Sequence, residues 1–400
     1  MSLGKRLTTF SQIVTISLVM VVVLNLVIFI AIHVRREFRE EQSTLPGPVS
    51  RYGMDRFMTP GVYDGYTKDE ILTLLNETYQ PLIHESYTMY REQPRSGDYV
   101  NIAEQGFRHI KNQAAYPPPQ DDFNVFVFGG STTFGYGVAD WDTIASHLQE
   151  ELRKAIPRTN VYNFGRGFYY STQERILFEL LLSRGLDMDL AVFIDGVNEK
   201  GSQDQPSLHK DLQRGFQQAQ ADWEELLPTP RLLGMLVNRT PMGRLAMFLQ
   251  SKTENTTDQS REPAEGEVMP SREAQENGKG TVERYLTCQR QIRASAQAFG
   301  VDTLFVWQPA NWLDYDQQYH VFSYMNSASE FAQKYAYEAM REYIRDIAPS
   351  DMLDLSSMQR EERRPLYVDG VHYNAYLSEK IAKEIAEFLL ADRQVAVRGE

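Results

Sequence analysis

The sequence predicts a doubly wound α/β domain behind one membrane-spanning helix, and three observations carry that reading. Residues Leu7 to Val34 hold no Asp, Glu, Lys or Arg, and the twenty residues Ile13 to Ile32 are dominated by Val, Ile and Leu, the length a helix needs to cross a bilayer. Between Val125 and Ile194 short apolar runs alternate with amphipathic stretches, three strand–helix units in about seventy residues. The third run, Leu190 to Ile194, reads LAVFI, continuously apolar as a parallel strand buried on both faces requires.

Composition narrows the partners. A chain of 400 residues with 42% hydrophobic and 24% charged residues is ordinary for a globular protein. Its net charge of −13 argues against nucleic acid, which calls for a concentrated positive face. Cys288 is the one cysteine, which excludes an internal disulfide, a thiolate metal cluster and a CxxC pair. It is expected to be a small buried residue in a helix. No zinc-type spacing appears, and neither a metal nor a cofactor is expected.

In chain order, a short tail (1–12) precedes the span (13–34). No Ala-x-Ala-like site precedes Arg35-Arg36, so an uncleaved anchor is expected. Lys5 and Arg6 face Arg35, Arg36 and Arg39 across it, nearly a tie by the positive-inside count. A short tail and a large following domain favour an extracytoplasmic domain. Asn25 is the one strongly polar residue in the span, with a bond across a helix pair as one role for it. Residues 35–120 read as a polar, proline-rich membrane-proximal region closed by Pro117-Pro118-Pro119, a stiff spacer. Within it, Thr67 to Tyr79 is an amphipathic helix with Ile71, Leu74 and Leu75 on one face, whose expected role is packing.

The main domain is expected over 121–391, with a tail at 392–400. Strands are predicted at 125–128, 160–164, 190–194, 303–307 and around 352–355. Helices are predicted at 143–154, from Ser171 to Gly185, and at 281–299, 327–347 and 375–390. Ser171-Thr-Gln-Glu174 has the pattern of a capping box. An insertion at about 200–280 interrupts the rhythm. Ser251 to Gly280, rich in Glu, Gln, Ser, Thr and Asn, reads as a disordered loop. Asn76, Asn238 and Asn255 begin Asn-x-Ser/Thr sequons.

The candidate chemistry begins at Ser131, which follows Gly129-Gly130 at the end of the first predicted strand. In an open α/β sheet that edge binds ligands, so its hydroxyl is a candidate nucleophile. The surrounding GGSTTFGYG lacks the Lys of a P-loop and the third glycine of a dinucleotide fingerprint. It also lacks the final glycine of a Gly-x-Ser-x-Gly elbow. A serine nucleophile needs a base. Among seven histidines, His372 stands in a turn, Val368-Asp-Gly-Val-His-Tyr373, with Asp369 three residues earlier to orient its ring. Donors for a developing oxyanion are offered by the N–H of Gly165 or Gly167 and by the Asn198 side chain, each after a further strand.

The blocks GGSTTFG (129–135), NFGRGFYYSTQE (163–174), IDGVNE (194–199) and VDGVHY (368–373) resemble, in order, those of the SGNH, or GDSL-like, hydrolase family. The resemblance spans roughly 122–200 and 280–391. It implies a three-layer α/β/α sandwich around a mainly parallel sheet of flavodoxin-like type. It also implies Ser131 as nucleophile, His372 as base with Asp369 behind it, and Asn198 as an oxyanion donor. In the family the second-block glycine lies five residues after the asparagine. Here that position is Phe168, and Gly167 falls one residue early; because the donated group is a backbone N–H either residue could serve, and Gly167 is taken as the donor with Gly165 and Phe168 left open. Tyr99 to Arg108 looks like an upstream element of the subgroup.

The expected activity is a membrane-anchored serine esterase acting on an acylated small molecule or carbohydrate, with acetyl the plausible acyl group. Phe168, Tyr169, Tyr170, Trp307 and Trp312 are aromatics near the site, Trp307 being assigned to the core. An O-acyltransferase with the same covalent intermediate and a non-catalytic scaffold are the alternatives.

Overall fold

The computed structural model describes residues 12–17, 19–30, 45–199, 240, 271–322 and 328–391. One helix, α1 (Gln12–Ile30), has a mean hydropathy of 3.0 and is long and apolar enough to cross a membrane. Its Asn25 amide donates to the Val21 carbonyl one turn back, a bond made within the helix itself. Positions 31–34 of the expected span, most of the insertion, the C-terminal tail, Asn238 and Asn255 lie outside the described residues. Asn76 is exposed.

From Leu45 onward the described residues, Thr240 apart, belong to one compact unit. It opens with α2 (Gly47–Tyr52), α3 (Met54–Phe57), α4 (Lys68–Thr78) and an antiparallel hairpin of β1 (Ile83–Glu85) and β2 (Met89–Arg91). There follow β3 (Phe123–Gly129), α5 (Ser131–Phe134), α6 (Ile144–Arg153), β4 (Thr159–Asn163), α7 (Ser171–Ser183) and β5 (Leu190–Asp195). The chain then adds α8 (Ser271–Phe299), β6 (Asp302–Trp307), α9 (Ala328–Ile347), β7 (Met352–Asp354) and α10 (Ala375–Ala391). Strands β3 to β7 form one sheet in the order β4-β3-β5-β6-β7, and every pairing in it is parallel. Counted from β3 this is 2-1-3-4-5, the flavodoxin-like order, whose carboxyl edge carries ligand sites.

Side chains alternate across a strand, and here the alternation sorts them by chemistry. Val125, Val127, Val161, Val192, Ile194, Leu304 and Val306 join Ile144 and Leu148 of α6 and Ile381 and Ile385 of α10 in an aliphatic core. The intervening positions are aromatic. Phe126 stacks on Phe164 at 5.4 Å, Phe128 on Phe193 at 4.9 Å, and Phe193 on Phe305 at 5.3 Å. Phe178 of α7, Tyr285 of α8 and Tyr337 of α9 close over that face. Each such large side chain contributes about 1.5–3 kcal/mol on burial. Trp307 is in this layer and fully buried, as its assignment to the core requires. The architecture is a three-layer α/β/α sandwich.

Three local expectations need correction. The capping box forms at Thr67 and Glu70, not at Ser171. Thr67 caps α4 with reciprocal bonds to Glu70, whereas α7 is preceded by Tyr170 with no side-chain cap. Glu174 is buried beside Asp195, and the Ser171 N–H donates to Glu199 instead. The second correction is α8, which starts at Ser271, so the last ten residues of the expected disordered loop are helical. Ala274, Gly278 and Val282, spaced by four, are buried along one face, and small residues there let the helix pack closely.

The third correction concerns 35–120. The triple proline does not set this region apart, because residues from Leu45 share the compact unit with the sheet. Tyr162 of β4 donates to the Ala115 carbonyl and Asn124 to the Pro119 carbonyl. Arg108, the last residue of the upstream element, is fully buried. Its guanidinium donates to Asp140 at 3.0 Å and to the carbonyls of Phe134, Gly135 and Val138, so it grips the loop that follows Ser131. Arg108→Ala strands the buried Asp140 carboxylate, and a loss of about 3–5 kcal/mol is expected in denaturant titration; a loss under 1 kcal/mol rejects the clamp.

Candidate active site

Ser131 opens α5 at the carboxyl end of β3. Glycine is required just before it, because a Cβ on Gly129 meets Thr133 and the Ile194 carbonyl at 2.8 Å, and one on Gly130 meets the Asn198 amide. The turn is held from four sides. Besides the Arg108 clamp, Asn163 at the end of β4 donates to the Thr133 carbonyl at 3.0 Å. Thr132 donates to Gln308 at 2.7 Å, and Thr133 to the Ile194 carbonyl.

His372 and Asp369 come from the turn before α10. The bridge between Tyr367 and Tyr373 and the Asn311 amide on the Gly370 carbonyl at 2.7 Å fix that turn. His372 Nε2 lies 2.8 Å from Ser131 Oγ, and its Nδ1 lies 2.7 Å from Asp369 Oδ2. Asp369 Oδ1 accepts the N–H groups of Val371 and His372, both at 2.9 Å. Burial alone would raise the Asp369 pKa, but the charge and bonds of His372, with the bonds of Tyr79 and Val371, hold it well below the usual carboxylate range. An ionised Asp369 accepts the Nδ1 proton, which leaves Nε2 as the acceptor for the serine hydroxyl.

The donor side differs from expectation. The Gly167 N–H is committed to Glu92 Oε1 at 2.7 Å, and the Gly165 N–H to Asn163 Oδ1 at 3.0 Å. Glu92, raised in pKa by its burial, also accepts from the Tyr136 hydroxyl at 3.0 Å. Phe168 has φ of +63°, the left-handed region that favours glycine, and no acceptor for its N–H occurs among the described residues. It therefore replaces Gly167 as the candidate backbone donor, at the position where the family carries glycine. Asn198 Nδ2 donates one hydrogen to the Tyr169 carbonyl at 2.9 Å and lies against Gly130, which leaves its second hydrogen for a ligand.

Other residues join the site without having been singled out by sequence. The Tyr79 hydroxyl donates to Asp369 Oδ2 at 2.6 Å. The Tyr136 ring stacks on His372 at 5.3 Å and 21°. In the third block, burial and the neighbouring Glu199 push Asp195 up to about 8, and Glu199 pairs with Arg284 of α8. Of the aromatics near the site, Tyr169 is buried and Phe168 is 50% exposed. No group of three or more His, Cys, Asp or Glu able to hold a metal occurs among the described residues. Two surface cavities, of about 400 and 600 Å³, do not include Ser131, Asp369 or His372 in their linings.

No protein-family model and no curated protein matches the sequence. Among solved structures, the chain is similar to Est24, a carbohydrate acetylesterase from Sinorhizobium meliloti, at 12% identity and a TM-score of 0.36, over 68% of this chain and 99% of that one. It is similar to the acetyl xylan esterase AlAXEase at 15% identity and a TM-score of 0.36, over 66% and 98%. A member of the lipolytic protein G-D-S-L family from Veillonella parvula matches at 11% identity and a TM-score of 0.31, over 68% and 97%. In this chain the strand order 2-1-3-4-5 is that of a flavodoxin-like three-layer sandwich, with the serine after the first strand of the sheet and the Asp-x-x-His turn before the last helix.

Proposed function

We propose that this protein is a serine esterase that removes an ester-linked acyl group through a covalent intermediate on Ser131. The observation that carries the proposal is the unbroken hydrogen-bonded chain Ser131–His372–Asp369, with separations of 2.8 and 2.7 Å. Ser131 Oγ attacks the acyl carbonyl as His372 Nε2 takes its proton. The carbonyl oxygen becomes an oxyanion facing the Phe168 N–H and the Asn198 amide. His372 then gives its proton to the departing alcohol oxygen, the acyl–Ser131 ester remains, and a water activated by the same imidazole releases the carboxylic acid.

Acetyl on a carbohydrate is the acyl group and carrier we favour: the half-exposed Phe168, in the loop after β4 that carries the candidate backbone donor, offers a ring face for a sugar. Helix α1 is proposed to anchor the domain on the extracytoplasmic side. A fluorophosphonate is expected to label the folded protein on Ser131, located by peptide mass spectrometry, and to leave Ser131→Ala unlabelled. Absence of label on the wild-type protein sinks the proposal. Acetate release from an acetylated oligosaccharide, measured with and without a second oligosaccharide, then reads the acceptor. A dominant acyl-oligosaccharide product replaces hydrolysis by transfer.

A further inference from the structure

The segment between the apolar helix and the sheet reaches the reacting groups through Tyr79, the residue that ends α4. We propose that Tyr79 is a positioning residue for the reaction: its hydroxyl fixes which carboxylate oxygen of Asp369 meets His372 and limits how much of the carboxylate's charge the imidazole receives. The inference rests on the esterase reading.

The carboxylate's acceptor sites are filled. Oδ1 takes the N–H groups of Val371 and His372, and Oδ2 takes the His372 Nδ1–H and the Tyr79 O–H. That makes four donors on about four lone-pair sites, so any rotation of the carboxyl breaks bonds on both oxygens. Tyr79 also lies 3.4 Å from His372 Nδ1. With Nδ1 and the hydroxyl both donating to Oδ2, that distance is an adjacency and not a further bond.

Tyr79 is held firmly enough to position a partner. The box at Thr67 and Glu70 caps α4. Ile71, Leu74 and Leu75 enter a core cluster with Phe134, Tyr136 and Val138 from the serine loop and Val368 from the histidine turn. Glu77 accepts the N–H groups of Asp98, Tyr99 and Val100 at 2.8–2.9 Å. The Tyr79 ring meets Tyr136 edge-on at 5.3 Å and 83°, and Tyr136 in turn stacks on His372. Burial and the charge of Asp369 raise the Tyr79 pKa well above its ordinary value, so its hydroxyl keeps its proton and donates throughout the working pH range.

The other groups that sense Asp369 are Tyr52 and Tyr63, both raised in pKa chiefly by burial, and His320, lowered by burial. His372 itself faces Tyr136 and Ser131. Protonated tyrosines and a neutral His320 put no charge beside the carboxylate, which leaves the Tyr79 hydroxyl as its adjustable side-chain donor. Its removal returns charge to the oxygen that faces the imidazole. The imidazolium is then held more tightly, and the base gains its proton at higher pH.

The test is Tyr79→Phe, which deletes one oxygen. The acid limb of the kcat/KM profile is expected to move up by about 0.5–1 pH unit, and kcat/KM to fall about tenfold from the lost charge-assisted bond. In a Ser131→Ala background, the NMR titration of the His372 imidazole should shift in the same direction. Fluorotyrosine placed at 79, a stronger hydrogen-bond donor, should shift both readouts the opposite way. If the acid limb and the imidazole titration are unchanged in both variants, Tyr79 is packing alone and the proposal fails, whatever happens to activity. Because the titration needs no turnover, it reads Tyr79 even if Ser131 proves unreactive, so the two proposals can fail separately.

Discussion

Ser131→Ala is expected to lower kcat on an activated acetyl ester by roughly 10⁶-fold, the scale on which a serine nucleophile fails. Its thermal midpoint should stay within a few degrees of the wild type. The loss is large because the two hydroxyls next to it are committed elsewhere: Thr132 is bonded to Gln308 and Thr133 to the Ile194 carbonyl. The fold should survive because the turn is anchored through Arg108, Asn163 and backbone carbonyls, none of which uses Ser131 Oγ. Steady-state kinetics with a melting curve on the same preparation check both halves. Retention of a tenth of wild-type turnover rules out the covalent intermediate.

Asp369→Asn is expected to cost about 10⁴-fold in kcat, with binding little changed. An asparagine can keep its oxygen toward the N–H groups of Val371 and His372, and its NH₂ then replaces Oδ2. That NH₂ confronts two other donors, His372 Nδ1–H and the Tyr79 hydroxyl. The imidazole escapes the clash by moving its proton to Nε2, which can then no longer accept from Ser131. Turning the amide over only transfers the clash to the two backbone N–H groups. A pH profile of kcat on well-folded Asp369→Asn measures the effect, and activity within fivefold of wild type removes Asp369 from the mechanism.

The parts of the molecule legible in the sequence are those in which side-chain type and position say the same thing. The three inner strands of the sheet, β3, β5 and β6, stand out by their apolar stretches because both faces of a covered parallel sheet exclude water. Ser131 and His372 stand out because small residues and turn residues deliver the one to the end of β3 and the other to the turn before α10. The rest depends on information that a residue's identity does not carry. The candidate donor at Phe168 is a backbone N–H, and its left-handed φ is hidden behind an aromatic side chain. The helix that Tyr79 closes reads only as packing and Arg108 has no role legible in its neighbours, yet the two residues reach partners 290 and 32 positions away. Thr67-x-x-Glu70 and Ser171-x-x-Glu174 share one pattern, and only the first forms a cap, because Glu174 is buried beside Asp195. The stripe of Ile71, Leu74 and Leu75 reads as packing in the sequence, and its partners appear only in the fold.

That stripe also bears on how the protein stays dissolved. Phe134, Tyr136, Val138, Ala139, Phe322 and Val368 are covered by Val49, Phe57, Val62, Ile71, Leu74 and Leu75. A fragment cut at residue 121 would bare those six side chains together, an apolar patch beside the serine of the kind that drives self-association. The residues after Leu45 therefore act as an intramolecular cover, shielding the reactive face from other copies of itself.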